Sequence, residues 1–182
     1  MRSIWICLAP CALTAAVISC GPSTTTPSAD PMVATGSADY AINPNADTLP
    51  LLVCHNQEQT FSGSKTIGAS GGKVEFGPNS LTIPAGALAN ATVISARTVP
   101  GDTLAVDLEP HGLQFAAPVT LVLNYHQCNA SPDLAVGILY TDSTLTKLLS
   151  VVPSEDHYNK WMVVGTLQHF SVYATAEARK PR

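Results

Sequence analysis

The chain has 182 residues, room for one domain with appendages, and a formal net charge of −4 with an isoelectric point near 5.6. That balance excludes a basic surface for phosphate contacts, so no nucleic-acid partner is expected. Charged residues make up only 12% of the chain, against roughly 25% in ordinary soluble domains, while Val, Leu, Thr, Ala and Gly are abundant, as suits a sheet protein.

The first element is an apolar run over residues 4–18, preceded by Arg2. It is shorter than the roughly 20 residues a membrane-spanning helix needs, yet it has the length of a signal-peptide core. No other run approaches a membrane span, so no integral membrane domain is expected. The run closes on Val17, Ile18, Ser19 and Cys20. This pattern resembles the bacterial lipobox. The resemblance implies a thioether diacylglycerol on Cys20, acyl chains such as palmitate, and cleavage between Ser19 and Cys20. Ser19 is small enough to sit beside a scissile bond, and the Cys20 thiol is the nucleophile that can carry the lipid. Gly21, rather than Asp, follows the cysteine. In the sorting system of many diderm bacteria that favours the outer membrane. Residues 1–19 are thus expected to be a lipoprotein signal peptide, with the mature chain held at the cell envelope.

Residues 20–50 are dominated by Pro, Ser, Thr, Ala and Asp without apolar periodicity. Such a segment buries too little surface to offset chain entropy, and a disordered tether is expected. At the other end, residues 177–182 read as a basic, solvated tail.

Residues 51–176 carry short apolar or alternating runs broken by Gly, Pro, Asn and Asp. In "LAVDLE", Leu104, Val106 and Leu108 face one way and Ala105, Asp107 and Glu109 the other. "VTLVLNY" places Val119, Leu121, Leu123 and Tyr125 on one face. "ATVISARTV", "VGILYT", "TKLLSVV", "WMVVGTL" and "FSVYATA" are further strand candidates. Strands at this spacing predict an all-β, antiparallel β-sandwich, and no segment shows the apolar stripe of a helix.

Three stretches carry a family resemblance. "GGKVEFGPNSLTIPAGAL" holds Gly71, Gly72, Ile83, Pro84, Gly86, Ala87 and Leu88; "EPHGLQFAAPVTLVL" holds Gly112, Phe115, Pro118 and Val119; "LQHFSVYA" holds His169, Phe170 and Ser171. Their order and spacing resemble the ZU5 domain, a β-sandwich of ankyrins, netrin receptors and death-domain adaptors, across residues 63–176. The resemblance implies protein–protein contact as the role. A second, UPA-type domain usually follows in eukaryotic members and is expected to be missing here. The motif residues also have physical reasons of their own. Gly71 and Gly72 suit a positive-φ turn between strands, Pro84 ends the strand "SLTI", and Gly86 permits a tight turn. Phe115, bracketed by Gly112 and Pro118, is expected to plug the core.

With the leader removed, Cys20, Cys54 and Cys128 remain. Cys20 is committed to lipid, which leaves Cys54 and Cys128 as an even pair in an oxidising compartment and predicts a disulfide between them. Cys54, His55, His126 and Cys128 also offer ligand types for zinc. The adjacency of Cys54 and His55 and the absence of ordinary ligand spacings argue against it, so no metal or other cofactor is expected. No nucleophile elbow, zinc-protease motif or phosphate loop is present, and the chain is expected to be non-catalytic. Glu155 and Asp156 read as solvated loop residues. Asn90 and Asn129 each open a glycosylation-type triplet that a bacterial lipoprotein would leave unused. Glycan binding is the alternative binding role, weakened by few aromatics and by Trp161 lying in a strand-like run where a core position is expected.

In some ZU5-type domains the tripeptide at His169, Phe170 and Ser171 is an autoproteolysis site. The resemblance implies Ser171 as nucleophile, cleavage of the Phe170–Ser171 bond through an ester, and His169 as base or orienter. The competing reading keeps Phe170 in the core and Ser171 outward at the start of the last strand. The expected partners are therefore a membrane, through Cys20, and an envelope or surface protein.

Overall fold

The computed structural model describes residues 50–55 and 60–179. The expectations for the leader, for Cys20 and for the tether up to residue 49 lie outside the described residues. Among the described residues, eleven strands run in chain order: β1 (Ser62–Ile67), β2 (Gly72–Phe76), β3 (Asn79–Ile83), β4 (Thr92–Val99), β5 (Ala105–Glu109), β6 (Gln114–Asn124), β7 (Leu134–Thr141), β8 (Leu148–Val152), β9 (Ser154–His157), β10 (Met162–His169) and β11 (Val172–Arg179). A 3-10 turn, Tyr158–Lys160, separates β9 from β10.

The strands form two antiparallel sheets, one ordered β1-β4-β5-β11-β7-β8 and the other β2-β3-β6-β10-β9. Their inner faces make one core, the sandwich the alternation predicts. Val119, Leu121 and Leu123 of β6, and Tyr125 just after it, are fully buried, as are Val106 and Leu108 of β5. Partners from the other strands include Phe76, Leu81, Ile94, Ile138 and Val163. Burying side chains of this size contributes about 1.5–3 kcal/mol each.

Local chemistry sets the strand ends. Gly71 takes φ 71° between β1 and β2, where the chain passes from one sheet to the other. A Cβ there would run into the carbonyl oxygen of Ile83 and lie 2.6 Å from the Pro84 carbonyl carbon, so only glycine fits. Pro84 directly follows β3. Pro118 stays inside β6 because its side chain is exposed beside the irregular register between Leu167 and His169 of β10.

Five expectations are corrected. Gly72 is the first residue of β2 and does not share the positive φ of Gly71. β11 begins at Val172, so Phe170 and Ser171 lie in the connection between the sheets and not in the last strand. Asp156 belongs to β9, where its carboxylate accepts from the Tyr125 hydroxyl and the Val136 amide. The short, polar run "SEDH" conceals this edge strand. Trp161 sits outside β10, half-buried, with φ 55° at the end of the 3-10 turn. β11 also extends to Arg179, making residues 177–179 of the expected tail part of a strand.

Candidate functional site

The three motif stretches converge at one end of the sandwich. The Gly86 amide donates to Ala69 (2.8 Å), and the Ala116 amide to Ala87 (3.0 Å). Around Phe170, the Gly112 amide donates to its carbonyl and its own amide donates to Leu113, both at 3.0 Å. The Leu108 amide reaches the Ser171 carbonyl at 3.1 Å. Phe170 is fully buried and meets Phe115 edge to face, ring centroids 4.7 Å apart, so Phe115 does plug the core. Gly86 and Gly112 adopt φ 81° and 75°, the turn conformations that free these bonds to form.

This corner supplies part of the machinery that self-cleavage requires. The Phe170 carbonyl, which the serine would attack, accepts one backbone N–H, from Gly112. The His169 ring, however, is engaged elsewhere. Its Nδ1 lies 3.3 Å from the Tyr173 hydroxyl, and the His169 and Tyr140 rings meet edge to face, centroids 4.8 Å apart. The Tyr173 hydroxyl donates to the His169 carbonyl at 2.7 Å. Burial, and then the neighbouring Tyr140, push the Tyr173 pKa above its ordinary value, which keeps that hydroxyl a donor. The arrangement orients His169 toward a tyrosine pair rather than toward Ser171.

Beside this corner lies a polar cluster that the sequence reading missed. Asp107, only 7% exposed, accepts from Arg97 Nη2 and contacts His111 Nε2, both at 2.5 Å. Ligand atoms of Asp107, Glu109 and His111 lie within 4.8 Å of one another, a spacing that could hold a divalent cation. One oxygen of Asp107 is already committed to the Arg97 guanidinium, which disfavours a second cation. The sequence signal was the D-x-E spacing, which puts both carboxylates on one face of β5.

At the opposite end, Cys54 and Cys128 form a disulfide between directly opposed backbone positions. The His55 amide donates to Gln127 (2.9 Å) and the Asn129 amide to Val53 (2.8 Å), so the pair sits at a narrow, non-hydrogen-bonded position. Closing a loop of 74 residues contributes about 4 kcal/mol in the chain-entropy description. The considered zinc set is thereby dissolved. Its sulfurs are bonded to each other, His55 Nε2 lies 2.8 Å from Asn129 Nδ2, and the His126 ring meets Trp161 edge to face.

The same end opens a cavity of about 260 Å³, lined in part by Phe61, Asn124, His126 and Gln127. The half-buried rings of Tyr158 and Trp161, 5.1 Å apart, adjoin it through His126. Among the described residues, no Asp, Glu, Lys or Arg lines this cavity. Fold and sites together define a disulfide-stapled, two-sheet antiparallel sandwich. No protein-family model and no curated protein matches the chain.

Proposed function

We propose that the chain is an exported lipoprotein, anchored through Cys20, whose β-sandwich binds a protein partner at the cell envelope without catalysing a reaction. The observation that carries this reading is the Cys54–Cys128 disulfide. Such bonds persist in oxidising compartments, where the signal-like run over residues 4–18 and its lipobox-like close at Cys20 would deliver the chain. The resemblance to ZU5 domains supports protein contact as the role. Convergence of the three motif stretches gives those motifs a shared structural reason, the packing of Phe115 on Phe170. With Gly21 after the lipid cysteine, the outer membrane is the destination in a diderm host.

Affinity capture from envelope extracts, with the intact mature protein as bait, tests this reading. Recovery of one protein in stoichiometric yield supports it; recovery of glycan or lipid without protein overturns it.

A second reading, glycan binding, is favoured by the cavity beside Tyr158 and Trp161 and its amide-rich lining. Amide and imidazole groups of Asn124, His126 and Gln127 offer neutral donors and acceptors to hydroxyl groups, and the rings offer a stacking surface. Calorimetric titration with cell-wall and storage polysaccharides distinguishes the two.

A further inference from the structure

An unpaired sheet edge is a template for a further strand, and folded proteins guard such edges with charge, proline or cover. The edges here are β1 and β8 in one sheet, β2 and β9 in the other. Three of them are guarded. β1 carries the exposed Lys65, and β2 the exposed Lys73 and Glu75. These two strands also close on each other: Gly63 of β1 lies so near the Glu75 carbonyl that no Cβ would fit between them. β9 carries Glu155 and Asp156, and it turns Ser154 and Asp156 onto β7, where they accept the Ile138 and Val136 amides. β8 has none of these devices. Its sequence, LLSVV, holds no charge and no proline. Among the described residues it pairs with β7 alone, which leaves the backbone groups along its other edge without a strand. Leu149 has no partner on β7, because the register shifts between Tyr140 and Thr141, and it is 42% exposed; Val151 is 36% exposed.

We infer that β8 pairs with β8 of a second copy of this chain, antiparallel about a two-fold axis, and so joins two six-stranded sheets into one continuous sheet. Three features select a second copy as the occupant. Two-fold pairing sets a strand against itself, and an uncharged strand can do so without opposing like charges. Self-pairing at β9 would set carboxylate against carboxylate. Lys147 just before β8 and Glu155 in the strand that follows are both exposed and lie beyond its opposite ends. The two-fold axis therefore sets each copy's lysine toward the other's glutamate. Leu149 and Val151 of the two copies then cover one another across the new pair, where apolar cross-strand contacts stabilise a sheet. The strand's 5 residues span roughly 17 Å, so the joint is smaller than the about 1,200 Å² of lasting interfaces, and the dimer forms where copies are concentrated. The pairing uses neither the lipid anchor nor another protein.

Val151→Lys and Val151→Glu in the intact chain test it, with association followed by sedimentation velocity up to about 1 mM. The unaltered chain should dimerise. Each variant alone should have its dissociation constant raised about tenfold or more, with the circular dichroism of the sandwich kept. An equal mixture of the two should restore the dimer, because lysine then faces glutamate. An unaltered chain that stays monomeric overturns the inference, as does a dimer that neither variant weakens or a mixture no more associated than either variant alone. Cross-linking covers the case of a variant that does not fold. Ser150→p-benzoylphenylalanine, in a mixture of isotopically light and heavy chains, should link a light copy to a heavy one within residues 147–155. Links confined to one copy, links to another part of the second copy, or no link at all contradict the proposal.

Discussion

The Tyr125 hydroxyl donates to Asp156 across 2.5 Å, and the other oxygen of that carboxylate accepts the Val136 amide at 3.1 Å. One side chain on β9 thus links the end of β6 to β7 in the opposite sheet, at the edge where β9 closes the five-stranded sheet. Tyr125→Phe keeps the ring packing and removes the donor. A hydrogen bond to a charged group contributes about 1.5–3 kcal/mol, and the variant should lose about that much stability in urea unfolding, with the slope unchanged. A loss near zero would show that the pairing is not structural.

Two motif glycines with similar backbone angles should behave differently. At Gly112, φ 75°, a Cβ meets nothing within 4 Å, so Gly112→Ala carries only the left-handed strain, about 1 kcal/mol. At Gly71 the Cβ also meets the backbone of Ile83, Pro84 and Ala85, which cannot swing aside. Gly71→Ala should cost about 2 kcal/mol more, the range of overpacking against fixed atoms. Equal unfolding midpoints for the two variants would refute the packing argument.

Much of the fold was legible because one face of most strands meets the core. Val119, Leu121, Leu123 and Tyr125 were identified by alternation alone, and all are fully buried. On β5 alternation gave the faces, with Leu104, Val106 and Leu108 in the core cluster, but not the burial of Ala105 and Asp107 on the other face. Alternation failed on β9, whose "SEDH" is held by pairing with β10 and by the bonds of Asp156 rather than by apolar burial. The cysteine pair was legible from composition and compartment. The Asp107–Arg97–His111 cluster was not, because its members come from two strands and a turn whose register no local pattern gives.

Asp142 caps the loop between β7 and β8. Its side chain accepts from the Thr144 hydroxyl, from the Lys147 amide at 2.8 Å and from the Thr146 amide at 2.9 Å. Thr144 first, then the Lys147 amide, lower its pKa from 3.8 to about 2. A depressed carboxylate stabilises the fold above its unfolded pKa and loses that contribution as pH falls through the folded value. Order in loop 142–147 should therefore weaken between pH 3.8 and about 2, the two values of this group. A carbon-detected titration of the Asp142 carboxyl with its midpoint near the ordinary 3.8 would contradict this.

The His169–Ser171 corner is expected to stay intact. With His169 turned to Tyr173 and Tyr140, Ser171 has no base placed on its hydroxyl, and one donor at the Phe170 carbonyl does not suffice. Denaturing intact-mass spectrometry should find a single species ending at Arg182. A fragment beginning at Ser171 would establish self-cleavage and make the corner a reactive site.

The lipid on Cys20 is the claim on which the exported, anchored reading stands, and the N-terminal peptide of the protein recovered from its host's membranes tests it most directly. The account predicts a mature chain beginning at Cys20, its mass raised by a diacylglycerol thioether and further acylation, and loss of detergent-phase partitioning in Cys20→Ala. An N-terminal peptide bearing an unmodified Cys20 thiol, or a Cys20→Ala variant that partitions as before, would contradict it.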